Sequence, residues 1–215
     1  MLIFFCHAMA ISISALLALR LGQDALVTLV SLQVVLANMF ILKQTTLGGF
    51  TATCTDAFTI GTVLCLNLLQ EYFGKKAAQR ALYISFAMLL FYTLMSQLHL
   101  LYMPDVCDTA QPYYQYILGL MPRITIASMI SYGLIAQLDI TLYGMLNRWF
   151  DSNYLVLRNY ISLGFSQLLD TILFSYLGLY GIVDNLWHII AISYAIKVAT
   201  IVLATPLVTF SGNRS

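Results

Sequence analysis

The chain has 215 residues, of which 60% are hydrophobic and only 9% are Asp, Glu, Lys or Arg, whereas a soluble domain usually spends about a quarter of its residues on those four. So much apolar surface excludes an ordinary soluble domain and predicts an all-α, polytopic integral membrane bundle whose solvent is the lipid bilayer. The formal net charge is +1, and the ten cations are scattered along the chain, which excludes a basic face for binding nucleic acid.

Apolar runs broken by polar, Gly or Pro punctuation predict helices at about 2–19, 25–43, 57–73, 81–103, 116–147, 159–180 and 186–208. They form a single transmembrane domain over 1–215. The first run begins without a basic leader or a small-residue cleavage site, so a retained helix is expected, not a signal peptide. The second carries Asn38 and Lys43.

The third run is short and rich in Thr, Gly and Asn. It reads as a full span, a half-helix or a re-entrant segment. It carries Asp56 and ends in "LNLLQEYFGKKAAQRA", where Asn67, Gln70 and Glu71 precede Lys75, Lys76 and Arg80. The segment 104–114 is the longest polar interruption, and Pro122 either kinks or begins the fifth helix. Ala191, Ala195 and Ala199 in the last helix make a small-residue row, which predicts close helix packing.

Charge asymmetry orients these runs. With seven spans, Arg20, Lys75, Lys76, Arg80, Arg148, Arg158 and Arg214 fall on one side, against Lys43 and Arg123 on the other. Cytoplasmic loops collect Lys and Arg, so the N-terminus is expected outside and the C-terminus inside. Six spans remain the alternative, with a poorer charge split. The four cysteines lack ligand spacing and read as buried thiols. His7, His99 and His188 lack partners at ligand spacing, so neither a metal site nor a cofactor is predicted.

An acidic residue inside a span costs about 2.5–3.5 kcal/mol on insertion scales, so it marks a bundle interior or an aqueous cavity. Asp139 lies in "AQLDITLYG" and Asp170 in "SQLLDTILF". On the sixth helix Ser162, Ser166, Gln167 and Asp170 share a stripe, and on the fifth Ser128, Tyr132 and Ala136 lead to Asp139. Each carboxylate serves either to line a cavity or to bond a neighbouring helix. Lys197, deep in the last helix, either pairs with a carboxylate or snorkels.

Two intramembrane aspartates raise an intramembrane aspartyl enzyme as one reading. The Tyr-Asp and Gly-x-Gly-Asp signatures of such proteases are absent around Asp139 and Asp170, however, and no Gly-x-Ser-x-Gly, His-Glu-x-x-His or P-loop is present. No enzyme is predicted. An interior rich in Asp, Glu, Asn, Gln, Ser and Tyr suits a neutral polar solute with many donors and acceptors, and a purine-like base fits that description.

The order of Asn38 with Lys43, "NLLQEYFGKKAAQRA", Arg123 before "SMISYGLIAQLDITLY", "RNYISLGFSQLLDTILF" and "SYAIKVATIVLATPL" resembles the VUT family of queuosine precursor transporters. The resemblance runs from about residue 33 to 208. It implies a bacterial inner-membrane importer of 7-deazapurines such as 7-cyano-7-deazaguanine, its aminomethyl relative or queuine, which feed salvage of the tRNA wobble modification. It also implies functional positions at Asn38, Lys43, Glu71, Gly74, Arg123, Asp139, Arg158, Asp170 and Lys197. Two positions depart from the family pattern. Asn67 stands where many relatives have Asp, and Gln137 is out of register with the family's Gln.

The substrate-binding set on this reading is Asn38, Asn67, Gln70, Glu71, Arg123, Asp139, Arg158, Gln167, Asp170 and Lys197. Asp170 or Asp139 would accept the N–H groups of a guanine-like edge, a charge-assisted bond worth roughly 1.5–3 kcal/mol. Asn38, Asn67 and Gln167 would bond other ring atoms, with Glu71 nearer an exit. The energy source stays open among a coupled proton, passive facilitation, and service as the binding subunit of a separate ATPase for a purine- or vitamin-like solute.

Overall fold

The computed structural model describes the backbone of residues 2–47, 49–149 and 155–211, with side chains over most of 3–135 and 164–199. Its elements, in chain order, are α1 (Leu2–Leu21), α2 (Gln23–Phe40), β1 (Gln44–Leu47), β2 (Phe50–Thr53), α3 (Asp56–Phe73), α4 (Lys75–Leu100), α5 (Gln111–Gly119), α6 (Met121–Trp149), α7 (Leu155–Phe174), a π-helical turn (Ser175–Leu179) and α8 (Leu186–Ser211). Every helix except α5 has at least 18 residues, or about 27 Å at 1.5 Å per residue, close to the roughly 30 Å of a hydrocarbon core. Each of the seven apolar runs thus holds one long helix, although residues 116–119 of the fifth run belong to α5 and residues 175–179 of the sixth to the π-helical turn.

The third run is one continuous helix and not a pair of half-helices. Pro122 begins α6 in its first turn, where its missing N–H costs nothing. The polar interruption is shorter than the sequence suggests, because α5 forms from Gln111 with Pro112 in its first turn. Chain contacts divide the molecule into two compact units, Met1–Thr125 and Ile126–Ser215.

In the first unit α2, α3 and α4 pack on one another, and α1 packs on α2 and α3. Single glycines make the two tight links. Gly22 joins α1 to α2 with φ 106° and Gly74 joins α3 to α4 with φ 87°, in the left-handed region that glycine enters without strain. Small residues let the helices close up. Ala15, Ala18, Cys65 and Ala81 share a cluster with Leu26, Val27, Val30 and Leu69. The thiol expectation holds for Cys65 alone, since Cys6 and Cys107 are exposed and Cys54 is half-buried.

The distribution on α4 is the reverse of a soluble helix. Its buried face is Ala77, Ala81, Ser85, Leu89, Thr93 and Ser96, while Tyr83, Met88, Leu90, Phe91, Leu94 and Leu98 are exposed. Lipid is as apolar as leucine, so large apolar side chains gain nothing by facing inward. Small and hydroxyl side chains hold the helices instead. The Thr93 and Thr125 hydroxyls meet at 2.6 Å, and Gln97 Nε2 donates to Leu118 O at 2.7 Å. Among the described residues, Gln23–Phe40, Lys75–Leu100 and Gln111–Ile135 are each long and apolar enough to cross a membrane.

Between α2 and α3 lies an antiparallel hairpin, with Gln44 opposite Thr53 and Leu47 opposite Phe50. The two-residue connection and its Gly-Gly pair are a strong hairpin signal, overlooked when the segment is read only for hydropathy.

In the second unit α7 packs on α8, and the π-helical turn packs on both. A Cβ on Gly178 would lie 3.4 Å from the Ala127 Cβ, so glycine allows ordinary contact with α6 there. Tyr176 stacks on Tyr180 and meets Trp187 edge-on, an exposed aromatic group of the kind that sits at a membrane interface.

The Ala row of α8 is corrected by the structure. Ala191, Ala195 and Ala199 are exposed, whereas Ile189, Ile190 and Ser193 are buried. The reason is the face chosen by Lys197, which lies one turn beyond Ser193 and turns that side of α8 toward α7.

The close approach of α3 to α1 and α2 depends on Gly61, where a Cβ would collide with Ile11 Cγ2 and lie 2.8 Å from Gln33 Oε1. Gly61→Leu is therefore expected to destabilise the first unit by about 1–3 kcal/mol, the usual cost of overpacking. Thermal unfolding of the detergent-solubilised protein reads this as a lowered midpoint, and an unchanged midpoint would contradict the packing described.

Candidate functional site

The polar residues inside the apolar helices fall into two sets, one in each unit. In the first unit, Asn38 near the end of α2 and Asp56 at the start of α3 are both buried, at the helix ends that the hairpin connects. Asn38 Nδ2 donates to Val34 O at 2.8 Å, and Thr55 Oγ1 bonds Thr53 Oγ1 at 3.0 Å, both threonines being buried. Asp56 is only 4% exposed, the most enclosed carboxylate among the described residues. Its place in the first turn of α3 gives it the positive end of the helix dipole.

Deeper in the same unit, Gln33 is 2% exposed. Its Oε1 accepts from Thr62 Oγ1 at 3.2 Å, and its Nε2 lies 4.0 Å from Cys65 Sγ. Neither Gln33 nor Asp56 belongs to the set predicted from sequence. For Gln33 the signal was present, since an amide in mid-helix within a span needs a partner or a solute. Asn67 is half-buried on α3, while Gln70, Glu71 and Gly74 are exposed at the α3–α4 link. Lys43 and Arg123 are exposed.

In the second unit, Lys197 of α8 donates from Nζ to Asp170 Oδ2 of α7 at 2.7 Å, with side-chain exposures of 15% and 25%. Of the two roles expected for Lys197, pairing with a carboxylate is the one this contact supplies. Ser166, one turn before Asp170, is 2% exposed, and Ser193, one turn before Lys197, is 7% exposed, so the charge pair continues a hydroxyl-lined seam. Gln167 is half-buried, and its carbonyl accepts from Thr171 Oγ1 at 2.8 Å. A carboxylate has about four acceptor positions, so one ammonium does not saturate Asp170. Asp139, Arg158 and Gln137 lie on α6 and α7, with side chains outside the described residues. Among the described residues no group of His, Cys, Asp or Glu could hold a metal ion.

Long apolar helices, the inverted apolar pattern of α4 and an ion pair held within apolar helices describe a multi-pass membrane protein. Comparison with known proteins narrows that class. Residues 53–211 match a family model described as "Putative vitamin uptake transporter". The chain is also 31% identical over 188 residues to the "Probable queuosine precursor transporter" of Bacillus subtilis (strain 168), a match that covers 86% of this chain and 82% of that one. No solved structure matches. The chain belongs to the vitamin uptake transporter family.

The ion pair makes a direct energetic prediction. Removing one partner strands the other charge, which costs about 3–5 kcal/mol where burial is complete, and the partial exposure here places the loss below that range. Asp170→Asn and Lys197→Gln are each expected to lower the unfolding midpoint, and the double variant to lose less than the sum. Strict additivity in this cycle would mean that the two charges do not interact.

Proposed function

We propose that this protein imports 7-deazapurine precursors of queuosine, such as 7-cyano-7-deazaguanine, 7-aminomethyl-7-deazaguanine or queuine, across a bacterial inner membrane for salvage into tRNA. The observation that carries this reading is the match to a relative named as a queuosine precursor transporter over 86% of the chain. The charge pattern supports an N-terminus outside and a C-terminus inside. Lys75 and Lys76 stand in the first turn of α4, where the helix dipole disfavours cations. Helix stability does not account for them, and anchoring at the cytoplasmic face does.

On this reading Asp170 is the central ligand. Its carboxylate is held by Lys197, and the paired N–H donors of a guanine-like edge bond its remaining lone pairs. Within the same unit, Gln167, Asp139 and Arg158 are the residues proposed to supply further polar contacts. A carboxylate with a cationic partner also favours a carrier over an aspartyl dyad, in which two carboxylates share one proton.

A second reading, import of another vitamin-like solute, is favoured by the wider description of the family. A salvage-dependent host lacking its own importer separates the two. Expression of this chain is expected to restore queuosine in tRNA when a precursor is supplied. Asp170→Asn is expected to abolish that rescue with protein still in the membrane. Failure with every precursor, despite good expression, would remove the queuosine reading.

A further inference from the structure

The cationic block at the start of α4 does more than sit in solvent. Lys76, Gln79, Arg80, Tyr83, Ile84 and Ala87 line one shallow, open groove along α4. They recur at helical spacing, and all but Ile84, which packs at its edge against the core of the first unit, lie on the face of α4 opposite the buried Ala77, Ala81, Ser85 and Leu89. Lys76, Gln79, Arg80, Tyr83 and Ala87 are exposed and Ile84 is half-buried.

The order of chemistry along the groove is specific. Two cations and an amide come first, a tyrosine follows, and Ile84 and Ala87 end it. From Lys76 to Ala87 the helix rises about 16 Å, close to one leaflet of a hydrocarbon core of roughly 30 Å. A phospholipid has the same sequence of parts over the same depth: a charged phosphate headgroup, a polar ester region and an acyl chain. Basic pockets at the cytoplasmic side of membrane helices suit anionic headgroups, and the positive end of the α4 dipole adds a field of the same sign.

We infer that this face of α4 is a binding site for one anionic phospholipid, with Lys76 and Arg80 on the phosphate, Tyr83 at the ester level and the acyl chain along Ile84 and Ala87. A free phosphate would use the cations but not the apolar end, so the lipid is the occupant that matches the whole groove. Lys75 is the internal control. It carries the same charge beside Lys76 and is exposed, yet it does not line the groove.

The test is native mass spectrometry of the full chain released from vesicles of phosphatidylcholine with phosphatidylglycerol as the minor lipid. One phosphatidylglycerol is expected to stay bound to the wild type. The Lys76→Gln/Arg80→Gln double variant should reduce its retention several-fold, and Lys75→Gln should leave it unchanged. Because lost cations can disturb insertion, Ala87→Trp provides a charge-neutral variant that blocks the acyl end and is expected to lower retention as well. Equal retention of the two lipids, equal loss in Lys75→Gln, full retention in Ala87→Trp, or displacement by inorganic phosphate would each overturn the proposal.

Discussion

Helices in lipid are held together by what lipid cannot offer: close backbone approach and hydrogen bonds. A surrounding phase as apolar as the protein removes the usual drive to bury large side chains, and the arrangement of the first unit follows from that. Gly61 admits α3 to α1 and α2, alanines line the contacts of α4, and Gln33 with Thr62, and Thr93 with Thr125, supply polar bonds between helices. The large apolar side chains are left for the outer surface.

The same constraint gives the Asp170–Lys197 pair its meaning. Two charges inside apolar helices are tolerated because each neutralises the other at 2.7 Å, but a pair placed only for packing is seldom better than apolar residues of similar volume. Its place on facing helices, with buried serines one turn away on each, is the observation on which the proposed role of Asp170 rests.

Much of this was legible in the sequence because hydropathy is a strong signal over about 20 residues. All seven long helices follow from it, and Lys197 and Asp170 stand out as charges in spans. Side-chain facing was harder to read. The alanine row of α8 looked like a packing seam, yet the face was decided by Lys197 reaching Asp170 on another helix, a contact that spacing along α8 does not encode. Asp56 was visible as a residue, but its 4% exposure at the start of α3 could not be read from the sequence alone. The hairpin itself was missed because a hydropathy reading passes over Thr and Gly.

The central claim is that Asp170 serves the transported solute from its position on α7 and is not merely one half of a structural ion pair. Exchanging the two residues, Asp170→Lys together with Lys197→Asp, keeps the pair and moves the carboxylate to α8. Uptake of radiolabelled 7-cyano-7-deazaguanine by cells expressing matched membrane levels is the most direct measurement. The account predicts that the exchanged protein accumulates in the membrane while uptake stays lost. Uptake equal to that of the wild type would show that the pair acts as a structural tie alone and would contradict it.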